Sequence, residues 1–396
     1  MELTLRKKYD PLQLIQYALI LLMSLNFANL YFYIIFLAFF ICLASNIRSL
    51  RVDIVSLLIF ALSVCYILFY PPTRDTITTS IKQFAYPMCY IIGLNLANSN
   101  RMINQENKGT DERIRLSIIL VSLGTFLHYL LNATVNIGSL LRNTKDFWTG
   151  EVASATDQAL LAVMALGVFS VWLVGERPVW VKILSLAGLV VVFAYNFVLA
   201  GRTILLLEAI TIIVAFFFMQ RNMYAEGRIK SYLFLALIFV GVLVLFLNNA
   251  WGLRDWILNS NLSARFDTQE ALTDIRLERK FLYLGRFFEF PFGGGHLRTA
   301  VGGHAHELYL DAFSDVGILG YVLVIAIVVS STVSVFRLFR DKSLNVETRS
   351  LVLCVFLGIN IVFFLEPILQ GEPWLFCIFC FLCGVMRSER LTLKYN

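Results

Sequence analysis

Charged side chains are scarce in this sequence: 15% of its 396 residues, against 58% that are hydrophobic, with a mean hydropathy of +0.74. Soluble domains carry roughly 25% charged residues, so most soluble classes are excluded at the outset. Histidine is scarcer still, at four. No soluble catalytic domain and no low-complexity tract interrupts the apolar runs. A cleavable signal peptide is not expected, because the short basic start Met1 to Asp10 opens an apolar run that leads directly into a second. Nor is there an internal repeat, or an inverted pair of Gly/Pro-broken helices of the kind that marks typical secondary transporters. Cysteine is missing from the one long polar segment: all seven lie inside apolar runs, which excludes a disulfide framework there. Cys377, Cys380 and Cys383 repeat every three residues and read as small packing residues on one helical stripe, in preference to metal ligands.

What is present is a series of runs suited to a bilayer, which takes roughly 20 apolar residues per helix. Twelve spans are predicted, at 11–28, 29–46, 52–70, 78–97, 114–133, 158–175, 180–200, 203–219, 231–248, 312–335, 348–365 and 372–387. The predicted fold is an all-α integral membrane bundle, a single polytopic domain over 1–396, with one large loop at 249–311 between the ninth and tenth spans. The net charge of +6 sits in short clusters between these runs, a signal of topology and not of a nucleic-acid surface. With the amino terminus inside, 21 of the 33 Lys and Arg fall on the cytoplasmic side, and 7 of the other 12 belong to the long loop. Both termini are expected in the cytoplasm and the loop outside.

A connection of that length is expected to carry structure or function. It holds Arg254, Arg265, Arg276, Arg279, Lys280, Arg286 and Arg298, with His296, His304 and His306. Residues 272–290 mix charges with aromatics and predict an amphipathic helix at the membrane surface, with Arg276, Arg279, Lys280 and Tyr283 on one face. Pro291 breaks that helix, and the glycines after it allow a tight turn or close approach of a ligand. The plain alternative is that the loop arginines, notably Arg254 and Arg265, bind anionic headgroups. Arg202 opens the eighth span at its outer mouth, where a guanidinium needs a partner, a water-filled cavity or the headgroups. His128, in the outer third of the fifth span, reads as a hydrogen-bonded packing histidine. In HAHELYLDAFSDVGILG, residues 304–320, a metal reading of His304, His306, Glu307 and Asp311 is set aside because histidines two apart do not share a helix face. Gly317 and Gly320 predict close approach of a neighbouring helix.

His306 and Glu307, nine further residues, then Gly317-x-x-Gly320 resemble the signature of bacterial O-antigen ligases and O-antigen polymerases. Arg202 with Leu206 is similar to the family's arginine-x-x-x-leucine element, and Arg276 ahead of PFGGG is similar to its loop arginine before a glycine turn. The three elements keep the family's order, and the detailed resemblance covers 200–320; Glu307 departs from the family's usual Asn, Ser or Gln. The resemblance implies a C-type glycosyltransferase-like bundle in the bacterial inner membrane with an extracytoplasmic active site. The implied donor is a saccharide on undecaprenyl diphosphate, and the acceptor a hydroxyl on a lipid-linked repeat or on lipid A–core. Arg202 and Arg276 are then the residues for the diphosphate, with Arg279 and Arg286 as helpers. His306 orients or deprotonates the acceptor hydroxyl, and His304 and Glu307 join the substrate-binding set. Transfer is a single inverting displacement without metal or cofactor, because arginines already supply fixed positive charge to phosphate oxygens. Membrane lipids and a chain-length regulator are the further partners expected. Polymerase is favoured over ligase because the chain is aromatic-rich, with 34 Phe and 16 Tyr, and departs at Glu307. A flippase or transporter is the alternative of another class; it requires polar groups along a whole pathway, and these spans are poor in charge.

Overall fold

The computed structural model describes residues 11–70, 80–96, 106–136, 144–260, 263 and 275–394, and is 81% helical. The first helices are α1 (Pro11–Ser24), α2 (Tyr31–Asn46), α3 (Ile54–Phe69), α4 (Ala85–Asn95), α5 (Glu106–Val135) and α6 (Ala155–Val174). Next come α7 (Val179–Val198), α8 (Arg202–Asn222), α9 (Ala225–Leu247), α10 (Leu253–Leu258), α11 (Ile275–Gly285) and α12 (His296–Val301). The chain ends with α13 (Leu308–Arg340), α14 (Val346–Leu365), α15 (Ile368–Gly371) and α16 (Pro373–Lys394). Between α5 and α6 a two-residue antiparallel pair joins Thr144–Lys145 to Val152–Ala153.

Among the described residues, seven helices are long and apolar enough to cross a membrane, and four shorter apolar ones accompany them. By length and composition this is an all-α, multi-pass membrane protein. Its exterior agrees with that reading, because large apolar side chains such as Leu237, Phe239 and Phe217 stand about 70% exposed where a soluble protein would place charge. The predicted fourth span corresponds to α4, whose 11 residues rise only about 16 Å. Of these, nine are buried, so α4 is an interior helix. It lies against α16, and glycine permits the crossing: a Cβ at Gly93 would come 2.1 Å from the Phe381 carbonyl, and one at Gly384 2.2 Å from that of Tyr90. The three cysteines of the predicted stripe are buried in the same helix.

Helix starts are capped by their own sequence. Asp53 accepts from the Val55 and Ser56 amides at 3.1 Å, and Ser154 and Asp157 form a reciprocal box at α6. Asp53 also binds Arg387 at 3.0 Å and Tyr90 at 3.1 Å, tying α3, α4 and α16 together at one end.

The predicted helix at 272–290 is shorter than expected. It ends at Gly285, well before Pro291, and its first residues lie outside the described ones. Arg6, Lys7, Lys8, Arg101 and Arg265, used for topology or as loop charges, also lie outside them. The expectation for the glycine pair needs correction too. Gly317 does not serve a helix–helix crossing; it breaks α13, with φ 75° and ψ −164°. The turn at 291–295 fills the break, since Ile318 donates to the Pro291 carbonyl at 3.0 Å. Gly294 and Gly295 donate to the Asp315 and Ser314 carbonyls at 2.8 Å each. Interrupted helix backbone is tolerated in an apolar surrounding only where its polar groups find such partners. Gly320 faces its own helix, where a Cβ would meet the Val316 side chain.

Candidate functional site

The basic face predicted for the loop helix is present, and it points at one place. On α11, Arg276 lies 3.4 Å from Glu366 just past α14, while Arg279 donates to the Gly302 carbonyl at 3.3 Å. Lys280 donates to the Phe364 carbonyl at 2.7 Å and pairs with Glu307 at 3.0 Å. The Tyr283 hydroxyl donates to the Gly303 carbonyl at 2.8 Å. Spacing of three and four residues puts all four on one stripe. The opposite stripe is apolar and exposed, with Leu277, Phe281 and Leu284 each more than half uncovered.

Arg279, Lys280 and Tyr283 grip the loop 302–307, which carries both candidate histidines. His306 has φ +57°, in the left-handed region that non-glycine residues rarely occupy. Asp311, one turn into α13 and 1% exposed, holds that conformation in place. Its carboxylate accepts from the amides on both sides of His306, Ala305 at 3.1 Å and Glu307 at 3.2 Å. Asp311 also lies 3.7 Å from His304 Nδ1, outside hydrogen-bond reach. Gly303 lets the loop pass over Arg279, because a Cβ there would sit 2.8 Å from the guanidinium carbon. Burial, and then the positive charge of Arg276, push the His306 imidazole down to about 4, so it is neutral at physiological pH. Its Nδ1 is buried without a hydrogen-bond partner among the described residues.

Glu366 joins the third element to this site. It is 2% exposed, and its carboxylate takes Arg276 on one side and the Thr203 hydroxyl, at 3.3 Å, on the other. Burial pushes its pKa up, against the opposing pull of Arg276. Thr203 follows Arg202, the first residue of α8, so the backbone bearing Arg202 and the side chain of Arg276 converge on one acid. Arg202 itself is half-buried, and its side chain makes no hydrogen bond or ion pair among the described residues. No family model and no curated protein matches this chain. What the arrangement can do therefore rests on its geometry: three cations, a neutral imidazole and a buried carboxylate at one end of the helix bundle.

Other predicted residues are placed elsewhere. Arg286 lies about 15 Å further along than Arg276 at helical rise. It is held in the turn region by Glu289, at 2.8 Å, and by the Ala300 carbonyl, at 3.3 Å. Arg298 reaches toward Asp315 at 3.9 Å, a fully buried acid that also accepts from Gln370 at 2.7 Å. Arg254 is exposed beside Asp255. His128 binds Asp146 at 2.8 Å, which holds the Asp146 carboxyl well below the usual range against its burial, and packs near Trp148 and Trp374. It is the hydrogen-bonded packing histidine expected from its position. Sequence reasoning missed Glu366 and the clamp role of Asp311. The one signal for Glu366 was an acid ending an apolar run immediately before Pro367.

Proposed function

We propose that this chain is a membrane glycosyltransferase of the O-antigen polymerase and ligase type. In this reading it has about twelve spans, both termini in the cytoplasm of a bacterial inner membrane, and the site around His306 facing outward. It moves a saccharide from a polyprenyl diphosphate, undecaprenyl in the family it resembles, to an acceptor hydroxyl. The observation that carries the reading is the convergence of α11 and the start of α8 on Glu366, with the His306 loop gripped by the same face of α11.

The chemistry follows from charge. As the anomeric carbon–oxygen bond breaks, negative charge grows on the departing diphosphate, and Arg276, Arg279 and Arg202 supply guanidinium groups for its oxygens. Arg276 leaves Glu366 in part to meet it, an exchange made easier by the raised proton affinity of that buried acid. The acceptor oxygen attacks from the opposite face, with inversion, and its proton passes to the neutral ring of His306. Docking of the diphosphate offsets the arginine charges that depress His306, which strengthens the base at the moment it is needed. Lys280 offers a reason for the departure at Glu307: the ammonium at 3.0 Å neutralises the acid that replaces the family's amide or hydroxyl.

Between the two activities, polymerase is preferred, on the aromatic content and on Glu307. The test is a proteoliposome assay with a polyprenyl-diphosphate-linked repeat, offered with and without lipid A–core. Polymer formed without the core acceptor supports polymerase, and product only with it supports ligase. Movement of the intact lipid-linked sugar across the bilayer, with no new glycosidic bond, would overturn the proposal in favour of transport.

A further inference from the structure

The other end of α8, about 28 Å from Arg202 by helical rise, carries a second polar cluster. An open cavity of about 630 Å³ there runs between α8 and α9. Ile213 and Phe217 form an apolar wall, more than half exposed on the outside of the bundle. Gln220, Arg221, Arg228 and Tyr232 line the same cavity.

Gln220 is the unusual member. It is 5% exposed, yet neither its amide nitrogen nor its amide oxygen has a hydrogen-bond partner among the described residues. Buried amides are normally paired, so one left unpaired in the wall of a cavity marks a place where a ligand completes the bonding once the side chain turns toward it. Of the acids nearby, Glu226 pairs with Lys230 at 2.5 Å and Glu347 with Arg177, while Glu176, beside Gly227, forms no ion pair with Arg221 or Arg228 among the described residues. Arg221 and Arg228 are exposed and have no carboxylate partner among the described residues. Two guanidinium groups at the rim, with the amide in the wall behind them, select an anion. An apolar wall continuing from that rim selects a hydrocarbon chain attached to it. α9 leaves the way open, since almost none of its apolar length is buried inside the bundle.

We propose that this cavity binds an anionic phospholipid, with its phosphodiester on Arg221, Arg228 and Gln220 and an acyl chain along Ile213 and Phe217. The site is independent of the one around His306, being at the opposite end of α8. It differs from unspecific headgroup attraction in having a shaped pocket and a buried amide.

Native mass spectrometry of the full-length protein in detergent tests it, with phosphatidylglycerol, phosphatidylcholine or inorganic phosphate added. The wild-type protein is expected to retain phosphatidylglycerol over phosphatidylcholine. The double variant Arg221→Gln, Arg228→Gln should lower that preference on the order of tenfold. Gln220→Leu, which keeps the packing volume, should weaken retention a few-fold while the protein stays monodisperse. Equal retention of the two lipids by wild type, or unchanged preference in the double variant, overturns the proposal. Inorganic phosphate displacing phosphatidylglycerol at millimolar concentration would mark a free-phosphate site and overturn it as well.

Discussion

Asp311 fixes the backbone of His306 from both sides, accepting the amide of the residue before it at 3.1 Å and of the residue after it at 3.2 Å. A left-handed histidine is strained by about 1 to 3 kcal/mol, and such strain persists only where the surroundings over-determine it. In the proposed reaction Asp311 is therefore a positioning residue. In Asp311→Asn one of the two amides loses its acceptor and the imidazole shifts. Displacements near 1 Å lower rates by about a hundredfold. The expected result is kcat down between tenfold and a hundredfold with the KM for donor within about twofold, read in a steady-state transfer assay. A parallel rise in KM would point to general loss of structure.

The pH dependence of His306 follows from its surroundings. Its pKa lies at about 4, below the ordinary 6.5, so the neutral form persists as pH falls from 7 to about 5 and is lost only near 4. Chemical-shift titration of the labelled imidazole should show no transition between pH 5 and 7. Arg276→Gln removes one of the charges that depress it, and its titration should move upward. A wild-type midpoint near 6.5 would mean the ring is neither buried nor facing Arg276.

In the proposed reaction Glu366 competes with the anionic donor for Arg276. Arg276 is about one third exposed, so the pair is partly screened and its strength is modest, about 0.2 to 1 kcal/mol. Glu366→Gln keeps the volume and the acceptor for Thr203 and removes the competing charge. The KM for a polyprenyl diphosphate should fall by about two- to fivefold. An increase in KM would show that Glu366 assists donor binding.

Much of this was legible in the sequence, and the parts that were not have a common cause. The basic stripe of α11 could be read because Arg276, Arg279, Lys280 and Tyr283 are near in sequence, and helical periodicity alone puts them on one face. The apolar runs announced the helices for the same reason. Glu366 was invisible because its meaning depends on Arg276 and Thr203, 90 and 163 residues away. Asp311 was visible as an acid beside histidines and was weighed as a metal ligand; its bonds to backbone amides leave no side-chain signature. The glycines at 317 and 320 are small residues in an apolar run, which is what helix crossings use. The actual partner of Gly317 is the turn at Pro291 to Gly295, a long-range fit of backbone to backbone.

That fit carries its own prediction. Gly317→Ala puts a side chain at φ +75° and a Cβ 2.2 Å from the Pro291 carbonyl, so the strain of about 1 to 3 kcal/mol is joined by a backbone clash. The thermal midpoint in detergent should fall by several degrees. Gly241→Ala, in open space on α9, is the control and should leave it unchanged or raise it slightly.

The central claim is that a cationic stripe and a neutral histidine act together on a lipid-borne diphosphate. Purified protein in proteoliposomes, given a polyprenyl-diphosphate-linked oligosaccharide, tests it through the initial rate of glycosidic-bond formation in wild type, Arg276→Ala and His306→Ala. The expected loss is about 10² to 10³ for the arginine and about 10² to 10⁴ for the histidine, with all three proteins equally monodisperse. Wild-type rates in both variants would contradict it.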